Sequence, residues 1–515
     1  MAMLDTSVVN VAIPKMETEL NATTAQIQWV LTAYMLTIGV LVPISGWMTD
    51  RFGPKKLFMS ALVVFTIGSI LCGMSWNLTS LIFFRIIQGL GGGFMMPVAM
   101  SMIFRMFPPD RRGAVVGMLG VAMIMAPAFG PALSGVLVDY SSWRWIFYLN
   151  VPIGIAAVVL GIVAMHEFPH EVKGRFDWLG FIFSTAGFFS LLYGLNNVSS
   201  HGWASSEVEE FVWFGVLCIA VLVVVELRSK NPMVNLRIMK NYMFSMSLLI
   251  SSLINIALFA GIFLLPVYLQ NVMGYSAIRT GLFMTPAALV SAMVMPISGR
   301  LFDRIGARPL AIVGLLVTAA ASYGFTTLSM HSGSTYIQWL YIIRSFGMGL
   351  TMMPVMTAGM NTVPVAWVSQ GTAITNTVRQ VASSLGTAFL TSYMATQATK
   401  HTIKLAWQVT PTSSAGHTLL GIQQMLQVHG MGLAAAKHAA MAMMYGLISQ
   451  QGFVDGLNNT YMVATIITLL AWVAVLFYGS KKERELREVN HLKKVERTSR
   501  KKRGSADSVP SDAHA

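Results

Sequence analysis

The sequence predicts an all-α polytopic membrane protein of fourteen spans, and three observations carry that prediction. Of the 515 residues, 55% are hydrophobic and 11% are charged, where a soluble domain carries about 25% charged residues. Apolar stretches of spanning length recur along the whole chain. Lys and Arg gather in alternate connections between them. Together these exclude a soluble enzyme built on one or two cores. The 44 Gly and 19 Pro follow no period, which excludes a collagen-like or disordered chain.

In chain order the spans are 1–14, 28–47, 57–76, 79–103, 113–138, 144–165, 177–195, 209–227, 243–266, 280–299, 309–329, 336–356, 372–397 and 455–479. The first falls short by about a third, since a spanning helix needs about 20 residues. No basic n-region with a small-residue cleavage site opens the chain. With the N-terminus in the cytoplasm, 26 Lys/Arg fall inside and 6 outside; without the C-terminal tail the ratio is 15 to 6. Both termini are therefore expected in the cytoplasm of a multi-pass plasma or inner membrane protein.

The expected division is 1–165 for an N-terminal six-helix half and 166–242 for two inserted helices with their linkers. A C-terminal six-helix half follows over 243–479, with an external loop at 398–455, and then a basic cytoplasmic tail over 480–515. That tail holds 11 Lys/Arg and four Glu between Lys481 and Arg503, a composition suited to a lipid surface. No stacking aromatics accompany it, so nucleic acid is not an expected partner. Cys72 and Cys218 lie in apolar runs and read as packing residues. Asp139, Asp177 and Glu226 lie near span ends and read as interfacial.

An internal repeat supports two similar halves. Gly46-Trp-Met-Thr-Asp50-Arg51-Phe-Gly53-Pro-Lys55 recurs 253 residues later as Gly299-Arg-Leu-Phe-Asp303-Arg304-Ile-Gly306-Ala-Arg308. Each copy joins the second and third helix of its half. Glycines permit tight turns and close approach, and the aspartates can cap a helix or pair with a base. The arginines double as positive-inside anchors. A looser echo relates Arg85, running into Met95-Met96-Pro97, to Arg344, running into Met352-Met353-Pro354. Parallel halves of this kind are a transporter architecture, with the substrate site near the midplane between them.

Ionisable groups inside spans are the next signal, because each is costly without a partner or water. Asp5 sits in Leu4-Asp-Thr-Ser-Val-Val-Asn-Val-Ala-Ile-Pro14, where a carboxylate can load and release a proton; a surface position next to Met1 is the other reading. Arg85 precedes Gln88 and the Gly91–Gly93 run. It seeks either Asp5 or backbone carbonyls. Ala126-Pro-Ala-Phe-Gly130-Pro131-Ala-Leu-Ser-Gly135 offers a flat face for close helix packing. Asn376-Thr-Val-Arg379-Gln380 reads as the lining of a polar substrate cavity with Gln88, or as an interfacial arginine that snorkels. No P-loop, paired catalytic carboxylates or nucleophile elbow occur, and His417, His429 and His438 lack metal-ligand spacing. Neither an enzyme nor a metal or organic cofactor is expected.

In order along the chain, these motifs resemble the major facilitator superfamily, and within it the fourteen-helix drug:proton antiporters of the EmrB/QacA type. The resemblance rests on Leu4-Asp5-x4-Asn10-Val-Ala-x-Pro14, Gly46-x3-Asp50-Arg51-x-Gly53-x-Lys55-Lys56, Arg85-x2-Gln88-Gly89, Gly130-Pro131-x2-Ser134-Gly135 and Trp143-Arg-Trp-Ile-Phe-x2-Asn150-Val-Pro-Ile-Gly154. It implies the major facilitator fold with two inserted central helices. It also implies alternating access driven by a proton gradient, with Asp5 and Arg85 in proton coupling. The loops holding Gly46, Asp50, Arg51, Gly53, Gly299, Asp303 and Arg304 become cytoplasmic gates. Gly130, Pro131 and Gly135 become the antiporter motif, and export is favoured over uptake. Ala126 and Ser134 stand where that motif usually has glycine.

The expected function is export of amphipathic, cationic or lipophilic small molecules in exchange for protons; few buried carboxylates disfavour multivalent cations. The same fold could serve one endogenous metabolite or lipid, which Asn376, Arg379 and Gln380 would favour. A non-transporting sensor or assembly protein predicts indifference to Asp5→Asn. A periplasmic adaptor is a possible partner in a host with two membranes.

Overall fold

The computed structural model describes residues 1–167, 176–229, 232–410 and 412–479, in which every regular element is a helix. Helix α1 (Ala2–Leu20) contains Pro14 and ends at Asn21, which is left-handed at φ 49°. The four-residue α2 (Thr24–Ile27) leads to α3 (Trp29–Leu41), which bends by 60° into α4 (Ser45–Phe52). Gly53 turns the chain at φ 85°, and Pro54 opens α5 (Pro54–Gly73). Glycine tolerates that angle, and the proline ring is already set for a first helical turn. Asn77 and Ser80 form a capping box at the start of α6 (Leu78–Met106). Helices α7 (Arg112–Tyr140), α8 (Trp145–Tyr148) and α9 (Asn150–Ala164) follow.

The pair α10 (Trp178–His201) and α11 (Ser206–Arg228) packs together, with Asp177 capping α10 through the Gly180 amide at 2.8 Å. Asn241 caps α12 (Tyr242–Phe259), and a π-helical turn at Ala260–Leu264 separates α12 from α13 (Leu265–Asn271). Helix α14 (Ala277–Ile305) meets α15 (Ala307–Gly324) through Gly306 at φ 84°, so the repeated sequence makes the same turn twice. The chain continues as α16 (Ser334–Met360), α17 (Val368–Trp407), α18 (Ser414–Val428) and α19 (Leu433–Leu476).

All fourteen expected apolar segments fall on these helices. Among the described residues nine helices are long and apolar enough to cross a bilayer, or ten when the bent α3–α4 pair counts as one. The helices that miss this threshold include α1, α16 and α17, which carry Asp5, Arg344 and Arg379. Polar residues lower the very signal by which a span is recognised.

The segment 398–455, expected as a long external connection whose 416–451 part could form amphipathic helices, is largely helical. Helix α17 has 40 residues and α19 has 44, about 60 and 66 Å at 1.5 Å per residue. That is twice the roughly 30 Å hydrocarbon layer. Glycines hold the two together: a Cβ on Gly456 would lie 2.6 Å from the Ala398 nitrogen. Glu226, expected at an interface, is 1% exposed, and both cysteines are buried. The basic tail, Lys173, Arg175 and Lys230 lie outside the described residues.

Two helix groups face each other. One is built on α1–α9 and the other on α12–α19. They meet chiefly through α7 on α14 and through α17 on α4 and α6, while α10 leans on both α3 and α17. The seam is unusually rich in methionine. Met100, Met233, Met295, Met353, Met356 and Met360 are buried in one cluster, with Met48, Met96, Met123 and Met352 packed against it. Unbranched thioethers fill irregular gaps and repack at small cost, which suits a surface that slides.

Candidate functional site: a buried ion pair, two helix-end latches and a polar recess

Asp5 and Arg85 are 2% and 0% exposed and touch each other. Helix α6 carries Arg85 and Gln88 one turn apart, so both face α1. Arg85 Nη1 donates to Asp5 Oδ2 at 2.5 Å and to Gln88 Oε1 at 2.7 Å, while Nε donates to the Val30 carbonyl at 3.0 Å. Asp5 Oδ1 accepts from Gln88 Nε2 and from Asn150 Nδ2, both at 2.9 Å. Ser69 Oγ accepts from both amides, at 3.1 and 3.2 Å, and donates to the Phe147 carbonyl at 2.9 Å. The guanidinium lies 4.0 Å from the Tyr34 ring centre and 5.7 Å from that of Phe147.

One charge of each sign is thus sealed in an apolar shell that includes Val8, Val9, Val30, Trp143 and Phe147. In such a medium an ion pair is strong, and losing one partner strands the other. Neutralising Asp5 with a proton would do that to Arg85. Among the described residues the Tyr34 hydroxyl, Asn150 Oδ1 and Arg85 Nη2 are buried without hydrogen-bond partners, so the cluster has room to reorganise its bonds. Asn150 and Ser69 join the site without a strong mark in the sequence. A polar side chain within an apolar run is their signal, weakly for serine and more clearly for Asn150 next to Val-Pro.

Helix α7 lies along α1. Ser134 Oγ donates to the Val8 carbonyl at 2.7 Å, and any Cβ on Gly130 would collide with Ser7. Gly135 is buried beside Ile278 of α14. Pro131 is on α7, with its side chain outside the described residues. The glycines and Ser134 therefore join α1, with its carboxylate, to the helix that faces the second group.

At the basic-loop end the two repeats form a pair of latches. Asp50, on α4, accepts from Arg105 Nη2 at 2.8 Å and from Gln370 Nε2 at 3.4 Å. Arg105 Nη2 also reaches Ser369 Oγ at 2.6 Å, and Ser369 meets Ser101 at 2.9 Å. Ser369 and Gln370 belong to the first turn of α17. Gly46 allows this approach, since a Cβ there would lie 2.9 Å from the Gln370 Cα.

The second latch mirrors the first. Asp303, on α14, accepts the Gly113 and Ala114 amides at 3.1 Å each, capping the first turn of α7. Gly299 sits against the Gly113 carbonyl, with no space for a side chain. Each aspartate thus caps, or sits at, the positive end of a helix from the opposite group. Arg51 and Arg304 are exposed, away from both contacts. Arg105, on α6, is the base from another helix with which Asp50 pairs, and Arg112 adds a bond to Asn361 at 2.9 Å.

Arg344 is the counterpart of Arg85 in the second group, 2% exposed. Its Nη2 donates to the Ala257 carbonyl at 2.5 Å and its Nε to Ser322 Oγ at 3.2 Å. Its head lies against Gly261 in the π-helical turn, where a Cβ would collide with it. No carboxylate faces it among the described residues.

Nearer the seam, Arg379 lines a cavity of about 20 Å³ with Leu248, Ser251, Ser252, Asn255, Thr375 and Met356. Arg379 Nη2 donates to Asn376 Oδ1 at 2.8 Å. Gln380 points instead toward Gly39 of α3, and Gln88 belongs to the Asp5 cluster rather than to this recess. Among the described residues no three His, Cys, Asp or Glu side chains gather as metal ligands.

The family model "Major Facilitator Superfamily" matches residues 1–387. The uncharacterized MFS-type transporter YhcA of Bacillus subtilis is 38% identical over 95% of this chain and 92% of its own length. The lincomycin resistance protein LmrB of the same organism is 33% identical over 76% and 82%. The multidrug export protein EmrB of Escherichia coli is 29% identical over 93% and 94%. Among solved structures, the human organic anion transporter MFSD10 aligns over 91% of this chain and 96% of its own, with a TM-score of 0.55 at 11% identity. That likeness concerns the fold alone.

Proposed function

The chain belongs to the Major Facilitator Superfamily, and from that premise we propose that it is a proton-coupled exporter of amphipathic, lipophilic compounds working by alternating access. Fourteen spans, with both termini and both latches on the cytoplasmic side of the cell membrane, complete the reading. The observation that carries it is the sealed Asp5–Arg85 pair, which ties the charge of a membrane carboxylate to the packing of α1 on α6 and α7. A proton arriving at Asp5 would break the ion pair and loosen α1. Because α7 lies on α14, the change would reach the seam and the latches. Names of the relatives LmrB and EmrB favour drugs as cargo, and the methionine seam favours loose selectivity.

The test is energised efflux of a panel of lipophilic dyes from a pump-deficient bacterium, with an uncoupler as control. Wild-type efflux is expected to stop on adding the uncoupler, and in Asp5→Asn to fall to the level of cells without the protein at equal expression. Efflux that survives Asp5→Asn would remove Asp5 from the coupling path. Absence of efflux for every dye would leave a single-metabolite exporter or a sensor.

A further inference from the structure

We infer that Arg379 is the head-group site for an anionic substrate, so that the preferred cargo is a lipophilic monoanion such as an aromatic carboxylate or sulfonate. For transport this rests on the exporter reading; for binding it stands alone. Arg379 is ten residues along α17 from Ser369 of the latch, about 15 Å at 1.5 Å per residue. It therefore sits inside the bundle, away from the basic-loop end and between the halves, where such architectures hold substrate. It is only partly buried and opens onto the recess bounded by α12, α16 and α17.

Among the described residues no acid pairs with the charge there. Between residues 243 and 479 the only acids are Asp303 and Asp455. Asp303 is spent on the α7 amides, and Asp455 is held at the other end of the bundle by Gln451 and His401. In the facing group Asp5 is paired with Arg85 and Asp50 with Arg105. Arg344 adds a second interior cation to the same half. A guanidinium has five N–H donors in a planar fork that matches a carboxylate or sulfonate. One of its bonds goes to a neutral amide, Asn376. Asn376 Nδ2 is occupied by the Thr372 carbonyl at 2.9 Å, which turns its oxygen toward Arg379 and fixes the fork.

The surroundings suit the rest of such a molecule. Ser251, Ser252, Asn255 and Thr375 line the recess, and Ser252, Asn255 and Thr375 each give a hydrogen to a carbonyl of their own helix. Leu248, Met352, Met356 and Val378 form its apolar wall and belong at the same time to the methionine seam. A cavity of about 20 Å³ holds a water-sized group, so the present packing accommodates the anchoring end only. The apolar body would lie along the seam as the two groups separate. A permanent cation meets a like charge at this point, which sets this site against the cationic cargo that the sequence also allows.

The experiment compares 1-pyrenesulfonate with tetraphenylphosphonium. Binding is measured by equilibrium dialysis on the full chain in a neutral detergent, and transport in everted vesicles under an imposed pH gradient. Wild type, Arg379→Gln and Arg379→Lys are compared, each checked for a monodisperse, heat-stable protein. The wild type is expected to bind the sulfonate, Arg379→Gln to bind it at least about tenfold more weakly, the range for a lost charge-assisted bond, and Arg379→Lys to keep most of the affinity. Tetraphenylphosphonium uptake should hold or rise in Arg379→Gln.

No sulfonate binding by the wild type, or equal binding in Arg379→Gln, overturns the inference. So does parallel loss of both probes in Arg379→Gln, which marks a packing role. Phosphatidylglycerol binding with the same dependence on Arg379, without sulfonate binding, would assign the site to a lipid and also overturn it. Arg379-dependent binding without transport of either probe would uphold the site and sink the exporter reading instead.

Discussion

Arg85 and Arg344 occupy matching places in the two helix groups, and they are held in opposite ways. Arg85 faces a carboxylate, the Gln88 amide and the Val30 carbonyl, with an ionisable partner 2.5 Å away. Arg344 faces the Ala257 carbonyl and Ser322, fixed dipoles that no change of pH can remove. The first arrangement has two charge states, and the second has one. Matched helices are therefore built differently: among the described residues one buried arginine has an ionisable partner and the other has only neutral ones. The π-helical turn follows from that difference, because without a side-chain anion on α12 the helix itself must offer oxygen and room. Gly261 supplies the room.

The comparison can be broken most directly by removing each cation. Arg85→Met strands a buried carboxylate and is expected to cost about 3–5 kcal/mol, read as a large drop in the melting temperature of the purified protein. A companion Asp5→Leu should restore much of it. Arg344→Met strands no charge and frees one carbonyl and one hydroxyl, so about 1–3 kcal/mol is expected. Equal costs for the two would mean that the carboxylate contributes nothing to the difference.

Smaller effects sharpen the same contrast at the latches. Asp303→Ala removes a helix cap, worth about 0.5–2 kcal/mol. It should shift the population toward separation at the basic-loop end, seen as faster labelling of a cysteine placed at Ala114. Unchanged labelling would show that the latch does not hold the halves together. Arg51→Gln and Arg304→Gln lie on exposed positions and should change melting by less than about 0.5 kcal/mol. A larger loss would give these side chains a role that their exposed positions do not explain.

How much of this was legible in advance depends on distance along the chain. Asp5 and Arg85 announce themselves because a charge in an apolar run has few permitted explanations, and the two turns at Gly53 and Gly306 follow from one repeated motif. Their partners are less visible. Asn150 and Ser69 come to Asp5 from residues 145 and 64 places away, and nothing local marks a serine as one end of such a network. Arg105 reads as an ordinary anchor until α17 is laid beside it, and Ser369 and Gln370 read as unremarkable helix-start residues. The π-helical turn has no periodicity of its own. Helices within 416–451 could be read from composition, but not the unbroken extension of α17 and α19 into the 398–455 segment, because its residues are mostly small or polar rather than strongly apolar. Those same residues lengthen a helix readily when another packs against it.

Helix α17 ties the parts into one lever. It begins at the Asp50 latch, passes Arg379, and runs unbroken for 40 residues to Trp407, which is 81% exposed at the far tip. A continuous helix of this length can turn a tilt at one end into a displacement at the other. Whatever grips the tip, even a large ligand unable to enter the protein, gains leverage over a lock some 60 Å away. An inhibitor of this transporter need not compete with its cargo.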